Sequence, residues 1–357
     1  MRQLPILEGQ MRLADAETAL PAPRRRRAWY VVLIFCFFAA VIPETLATTS
    51  TSVAKIVTQP ASLPFIMLFY GLADLLIREA LVRRRLGWVS LIALGIAFGF
   101  MNEGVLAGTW YTVRYNGYAY VGQINYAWAV ALTVFHVFVS VIAPIAFIET
   151  IFPSRAALPL LRRRGIIISS VVFLLLTTVF LFVESYRPYR IIVFALALTL
   201  AIIALRLPAA RQRTLSATPP PSLWRLRWAG FFTMLGFFVL IYAIPPIILK
   251  LAGVHVVAAQ VADIIIFVLF SALLLFAGRR WTGRSGWSLR HTLALIAGVL
   301  AFPSLLTVAL PFFWPTLEFF ATVPCFVLLI LLDRGLKRRE RAQAVSTGAE
   351  TSQAIMS

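Results

Sequence analysis

The sequence predicts an all-α, polytopic integral membrane protein of about ten transmembrane helices. Two observations lead to this prediction. Hydrophobic residues make up 61% of the 357 residues and charged residues only 13%, whereas about a quarter of a soluble domain is charged. The apolar residues also form successive runs of about 20 residues, which is the length that a helix needs to cross a bilayer.

The apolar runs divide the chain into two groups of helices. The predicted helices cover residues 28–48, 62–82, 87–107, 125–150, 165–184, 189–207, 228–249, 254–277, 289–309 and 313–333. A basic tail, 1–27, precedes them and a second tail, 334–357, follows them. A Pro-rich linker, 208–227, separates helices 1–6 (28–207) from helices 7–10 (228–333), and its three successive prolines predict a stiff, non-helical segment.

The basic residues mark one side of the predicted membrane. Lys and Arg number 33 against 14 Asp and Glu, and they gather in clusters such as PRRRRAW (23–29) and LKRRER (336–341). The opposite loops contain only Lys55, Arg114, Arg187, Arg190 and Lys250. By the positive-inside rule, this asymmetry predicts that both termini are cytoplasmic. Clusters between spans point to the lipid bilayer as the partner and argue against nucleic acid.

Two segments predict an internal repeat. RRRLGWVSLIALGIAFGF (83–100) is similar to GRSGWSLRHTLALIAGVLAF (283–302), and each follows a helix that runs inward. Helices 1–4 and 7–10 are therefore candidates for a parallel repeat about an axis along the membrane normal. Chance similarity between two apolar helices is the alternative.

Ionisable residues inside the predicted helices are candidates for function, because a charge within a bilayer is expensive. The candidates for binding a substrate or a proton are Glu44, Asp74, Asn102, Glu103, His136, Asp263 and Glu318. A rise of about 1.5 Å per residue predicts an outer layer of Glu44, Glu103 and Glu318. The same count predicts a layer of Asp74, His136 and Asp263 near the midplane.

Neither predicted layer contains Lys or Arg, so acids that share a cavity would hold protons or bind a cation. In the alternative interpretation, each acid is neutral and is hydrogen-bonded to a neighbouring helix. Arg78, Glu79 and Glu149 lie near the predicted cytoplasmic boundary, where ion pairs form easily. We expect those three residues to form structural ion pairs.

The sequence predicts no cofactor and no metal site, and it identifies no catalytic residue. Cys36 and Cys325 lie alone in apolar runs, and phosphate-binding and nucleophile-elbow motifs are absent. His255 and His291 fall at opposite predicted boundaries, so they cannot join His136 in a zinc site at one depth.

Three segments resemble a family of polytopic bacterial membrane proteins with no assigned activity. They are YGLADLLIRE (70–79), RRRLGWVSLIALGIAFGFMNEGV (83–105) and HVFVSVIAPIAFIETIFP (136–153). Members of that family tend to show two adjacent acids where this chain has Asn102 and Glu103. An acidic pair is also remotely similar to CPBP-type intramembrane proteases, whose pattern adds an arginine downstream. Here Ala107 stands four residues after Glu103.

These observations favour a secondary transporter or permease-like protein rather than an enzyme. Its acidic, outward-facing cavity would take a proton or a cationic ligand, and His136 could change its charge near neutral pH. One alternative is an intramembrane enzyme for lipid or membrane peptide, in which an acid and His136 perform acid–base work. Another alternative is an accessory or assembly subunit of a membrane complex.

Overall fold

The computed structural model describes residues 29–47, 53–113, 120–183, 185–209, 216–244, 247, 257–309 and 319–356. Most of the described residues are helical. Two short strands, β1 (Tyr120–Val121) and β2 (Ile124–Asn125), pair as an antiparallel hairpin. Such a fold satisfies the backbone hydrogen bonds inside each helix, as the bilayer requires. The all-α, polytopic fold is therefore confirmed.

Among the described residues, the first half of the chain forms eight α-helices, and one of them has only six residues. They are α1 (Trp29–Val41), α2 (Val53–Thr58), α3 (Ser62–Arg84), α4 (Trp88–Gly99), α5 (Tyr126–Phe135), α6 (Ala143–Ile151), α7 (Arg163–Val179) and α8 (Arg187–Arg206). The second half adds α9 (Leu223–Phe238), α10 (Val257–Thr282), α11 (Leu289–Ala309) and α12 (Phe319–Met356).

Four of these helices widen into π-helical segments. These are π1 (Ile42–Ala47) after α1, π2 (Phe100–Leu106) after α4, π3 (His136–Ile142) between α5 and α6, and π4 (Val239–Ala243) after α9. A π turn is rare and is often found at a functional site. The first three π segments carry four of the predicted candidates, which are Glu44, Asn102, Glu103 and His136.

Within the described residues, eight helical stretches are long and apolar enough to cross a membrane. They are Trp29–Ala47, Trp88–Leu106, Tyr126–Ile151, Arg163–Phe182, Arg187–Arg206, Leu223–Ala243, Ile264–Thr282 and Leu289–Leu306. The predicted second span corresponds to α3, which has 23 residues but also contains several charged side chains. The predicted tenth span, 313–333, begins outside the described residues and continues into α12.

The helix boundaries differ from the predicted ones around the linker. Helix α9 begins at Leu223, inside the segment predicted as a non-helical linker, because the Ser222 side chain accepts a hydrogen bond from the Arg225 N–H and caps the helix. Helix α12 continues through most of the predicted tail 334–357. The three successive prolines, 219–221, end directly before the Ser222 cap, so the helix begins immediately after them.

The two halves of the chain pack differently. Helix α1 packs closely on α3, where Gly71 lies directly against Cys36. Helix α9 packs most closely on α11, where a Cβ atom at Gly298 would meet the Arg227 carbonyl. In the predicted repeat, α1 corresponds to α9 but α3 corresponds to α10. The described packing therefore gives the repeat no support.

Candidate functional site

A buried group of polar side chains lies where π1, α3, π2 and π3 meet. We call it the Glu103 cluster, and it consists of Glu44, Tyr70, Asn102, Glu103, Thr109, His136 and Ser140. Its residues come from five separate parts of the sequence. The structure therefore shows contacts between these side chains, whereas the sequence could predict only the depth of some of them in the membrane.

Tyr70, on α3, links π1 to π2. Its hydroxyl group donates a hydrogen bond to Glu44 Oε1 and accepts one from Asn102 Nδ2 at 2.5 Å. Asn102 Nδ2 also lies 3.1 Å from His136 Nε2. Asn102 therefore occupies a bridging position between the phenol and the imidazole.

His136 and Glu103 form the centre of the cluster. His136 Nε2 lies 2.8 Å from Glu103 Oε1, and His136 Nδ1 lies 2.8 Å from Ser140 Oγ. The second carboxylate oxygen of Glu103 accepts a hydrogen bond from the Thr109 hydroxyl group. His136 is 2% exposed and Glu103 8% exposed, so this contact is shielded from the surroundings.

The contact between Glu103 and His136 offers two positions for one proton. If Nε2 carries the proton, it donates to the carboxylate; if Glu103 carries it, the carboxyl group donates to Nε2. No Lys or Arg forms an ion pair with Glu103 in the described part of the chain. The charge of this pair therefore depends on how many protons it holds.

The contact between His136 and Glu103 joins two residues that the predicted layers separate. The count of residues placed His136 with Asp74 near the midplane, below Glu103, whereas the structure places its imidazole in contact with Glu103. Residue counting assumes upright α-helices with a uniform rise. Both residues lie on π-helical segments, where that assumption fails.

Arg190 lies beside the Glu103 cluster and was missed as a functional candidate. The charge pattern of the sequence assigns it to an outer loop, but it is buried in the first turn of α8. Its guanidinium group donates to the Val105 and Leu106 carbonyls at the end of π2. Its position inside a predicted helix, 189–207, was the signal that could have identified it.

Gly108 and Tyr111 complete the contacts around Arg190. Gly108 has a φ of +67°, in the left-handed region that glycine adopts without strain, and a Cβ atom there would meet the Arg190 guanidinium group. The Tyr111 hydroxyl group donates to the Gly104 carbonyl at 2.7 Å. Burial raises the pKa of Tyr111 to about 12, so the phenol keeps its proton at neutral pH.

A second polar group, the Arg78 cluster, consists of Arg78, Glu79, Arg83 and Glu149. Arg78 Nε lies 3.6 Å from Glu149 Oε1, and Arg78 Nη1 lies 3.7 Å from Glu79 Oε1. Arg83 Nε donates to Glu79 Oε2 at 2.8 Å. Arg78, Glu79 and Glu149 are buried, and the two acids share one fixed cation.

The Arg78 cluster also holds the loop that follows α6. Arg78 Nη2 donates to the Arg155 and Ala156 carbonyls at 2.7 Å and 2.9 Å. Glu79 Oε1 accepts hydrogen bonds from the Leu160 and Leu161 N–H groups at 2.5 Å and 3.2 Å. These bonds satisfy backbone groups that have no partner in a helix.

Asp74 lies on α3 between the two clusters, four residues from Tyr70 and four from Arg78, so the three share one face of the helix. It is fully buried, and neither of its carboxyl oxygens has a hydrogen-bond partner among the described residues. The structure therefore places Asp74 in neither cluster.

No contact among the described residues joins the other two predicted acids, Asp263 and Glu318, to the Glu103 cluster. Asp263 lies on α10, and Glu318 lies outside the described residues. No group of three His, Cys, Asp or Glu residues that could hold a metal ion occurs among the residues described.

Comparison with known proteins identifies one family. The model of an uncharacterized membrane protein family matches residues 32–347, which include every residue of both clusters. No curated protein and no solved structure matches the chain. The likeness to CPBP-type proteases is therefore unsupported by these comparisons.

Proposed function

Because the chain belongs to that uncharacterized membrane protein family, we propose its function from its own residues. We propose a proton-coupled secondary transporter or permease-like protein, with multiple spans in a bacterial plasma membrane. The Glu103 cluster is its proton-binding site. Its cargo is a small cation, or the proton itself.

The observation that supports this proposal is the buried contact of 2.8 Å between His136 Nε2 and Glu103 Oε1. Imidazole is the side chain whose charge changes most readily near neutral pH. An intramembrane carboxylate in contact with it is a common arrangement for a proton relay. Each change in the number of bound protons changes the charge next to Tyr70 and Glu44, and this charge can be coupled to cargo.

The remaining acids extend this proposal. Glu44 shares the hydrogen-bond network through Tyr70, and Asp74 lies one helical turn from Tyr70. Asp263 and Glu318 are further proposed contributors to the acidic cavity. A set of carboxylates favours a cation over an anion because like charges repel an anionic ligand.

The test uses the full-length protein in vesicles that contain the pH-sensitive dye pyranine. Na⁺, K⁺ or ethidium is added outside in separate experiments, and the change in internal pH is followed. We expect at least one cation to drive proton exchange, and Glu103→Gln to slow that exchange at least about tenfold, since glutamine cannot take up the proton.

Glu340→Gln is the matched control, because Glu340 is a partly exposed acid that pairs with Arg290 away from the Glu103 cluster. Its exchange rate should equal that of the unmodified protein. An unchanged rate in a correctly folded Glu103→Gln variant would remove Glu103 from the coupling role. Absence of exchange with all three cations would count against cation–proton antiport.

The contact between His136 and Glu103 also supports a second candidate, an intramembrane hydrolase for lipid or membrane peptide. General acid–base catalysis requires two groups within hydrogen-bond reach, and these groups meet that requirement. Incubation in ¹⁸O-labelled water would place the label in any hydrolysed lipid or peptide. His136→Gln and Glu103→Gln should each abolish that incorporation, and unlabelled, intact substrates would exclude hydrolysis of those substrates.

A further inference from the structure

A cavity of about 170 Å³ lies apart from both polar clusters, between the α5–π3–α6 helix and helices α9, α10 and α11. Most of its lining is aromatic or aliphatic, including Phe135, Phe138, Val139, Phe270 and Val299. A water molecule needs two to four polar partners in such a place. The cavity therefore suits an apolar occupant.

One end of the cavity has a different chemical character. Arg279, Thr282 and Thr292 line it there, together with the tryptophans Trp88, Trp281 and Trp287. Tryptophan is enriched at the level of lipid headgroups, and a nearby arginine attracts anionic lipid. The cavity thus combines an apolar interior with a cationic, aromatic end.

We propose that this cavity binds one acyl chain of an anionic phospholipid whose phosphate group lies beside Arg279. Five of the stretches that are long and apolar enough to cross a bilayer contribute residues to the cavity lining, and phospholipid is the abundant amphiphile in a bilayer. Arg279 and the neighbouring Arg280 and Arg284 supply charge complementary to a phosphate group. This lipid site does not depend on the proposed transport activity.

Native mass spectrometry of the full-length protein released from detergent tests this proposal. Phosphatidylglycerol and phosphatidylcholine with identical acyl chains are supplied in equal amounts, and the lipid retained by each protein molecule is counted. We expect about fivefold more retained phosphatidylglycerol than phosphatidylcholine, because this is the preference for an anionic lipid that one arginine near the headgroup gives. Equal retention of the two lipids would overturn the proposal.

Gly278 offers a way to fill the cavity without disturbing the helix. It lines the cavity, and a Cβ atom there would meet nothing within 4 Å. Gly278→Phe should therefore lower retention of phosphatidylglycerol at least about fivefold, because its ring takes the place of the acyl chain. Gly335→Phe is the matched control, since Gly335 also has open space around its Cβ position but lies on α12, outside the cavity lining.

The role of the charge is tested separately. Arg279→Gln should remove the preference for phosphatidylglycerol, whereas Arg280→Gln, at a neighbouring position that does not line the cavity, should keep it. Equal retention by Gly278→Phe and Gly335→Phe would show that the lipid binds elsewhere. Equal loss of preference in the two arginine variants would show a diffuse basic surface and would also overturn the proposed site.

Discussion

The Glu103 cluster and the Arg78 cluster both contain two buried or half-buried acids, yet they form different kinds of bond. In the Glu103 cluster, side chains bond mainly to other side chains, and the basic partner is the titratable His136. In the Arg78 cluster, side chains bond largely to the backbone of one loop, and the basic partner is an arginine that keeps its charge. The contrast separates a site that can exchange protons from one that fixes structure.

The sequence placed both groups inside the membrane without distinguishing them in this way. An acid is expensive there in either setting. What differs is whether the neighbouring groups offer a second stable position for a proton. His136 offers one to Glu103, whereas Glu79 and Glu149 lie beside the Arg78 guanidinium group, which keeps its charge.

The largest effect is expected for Arg78→Met. This change removes the hydrogen bonds to the Arg155 and Ala156 carbonyls and leaves Glu149 without its cation. Breaking a buried ion pair by removal of one partner costs about 3–5 kcal/mol. Titration of the purified protein with sodium dodecyl sulfate would measure the lowered free energy of unfolding.

Arg84→Met is the control for this change. Arg84 is exposed and donates one hydrogen bond to the Leu205 carbonyl, so its loss should cost less than about 1 kcal/mol. A similar free energy of unfolding for both variants would mean that the Arg78 cluster does not hold the loop.

A smaller effect on stability, but a large effect on proton exchange, is expected for Tyr70→Phe. The phenol joins Glu44 to Asn102, and its removal leaves a buried amide without that acceptor, which costs about 1–3 kcal/mol. The pH at which proton exchange is half-maximal should also shift, because Glu44 is disconnected from His136. The vesicle assay with pyranine, repeated across a series of pH values, would measure this shift.

Tyr126→Phe is the matched control, since Tyr126 is a largely exposed tyrosine at the start of α5. It should change neither the free energy of unfolding nor the pH profile. An unshifted pH profile in Tyr70→Phe would show that Glu44 takes no part in proton exchange through Tyr70.

The fold could be predicted from the sequence because the bilayer imposes a simple rule. Every spanning segment must satisfy its own backbone, so apolar runs of about 20 residues become helices. Helix α3 fits the rule less well, since Asp74, Arg78 and Glu79 interrupt its apolar sequence; these residues are buried among other helices. Mean hydropathy therefore identifies a helix that faces lipid more readily than a helix that is surrounded by other helices.

The candidate site could be predicted only in part. Glu103 and His136 were identified because each is an ionisable residue in an apolar run. Their contact was not, because it depends on the rotation of π2 and π3, and no simple periodicity marks a π segment. Arg190 was missed although it falls inside the predicted helix 189–207, because its guanidinium group bonds to backbone carbonyls rather than to a side chain that the sequence could indicate.

Asp74→Asn should have the smallest effect on stability and sharpens the comparison of the two clusters. The carboxyl group of Asp74 is buried without a hydrogen-bond partner among the described residues, so an amide of the same shape should change the free energy of unfolding by less than about 1 kcal/mol. Asp333→Asn provides the contrast, because Asp333 pairs with Arg290 at 2.9 Å and its neutralisation weakens an existing bond. A large loss of stability in Asp74→Asn would show that the carboxylate is a structural partner, as in the Arg78 cluster. Unchanged stability with slower proton exchange would instead assign Asp74 to the path that begins at Glu103.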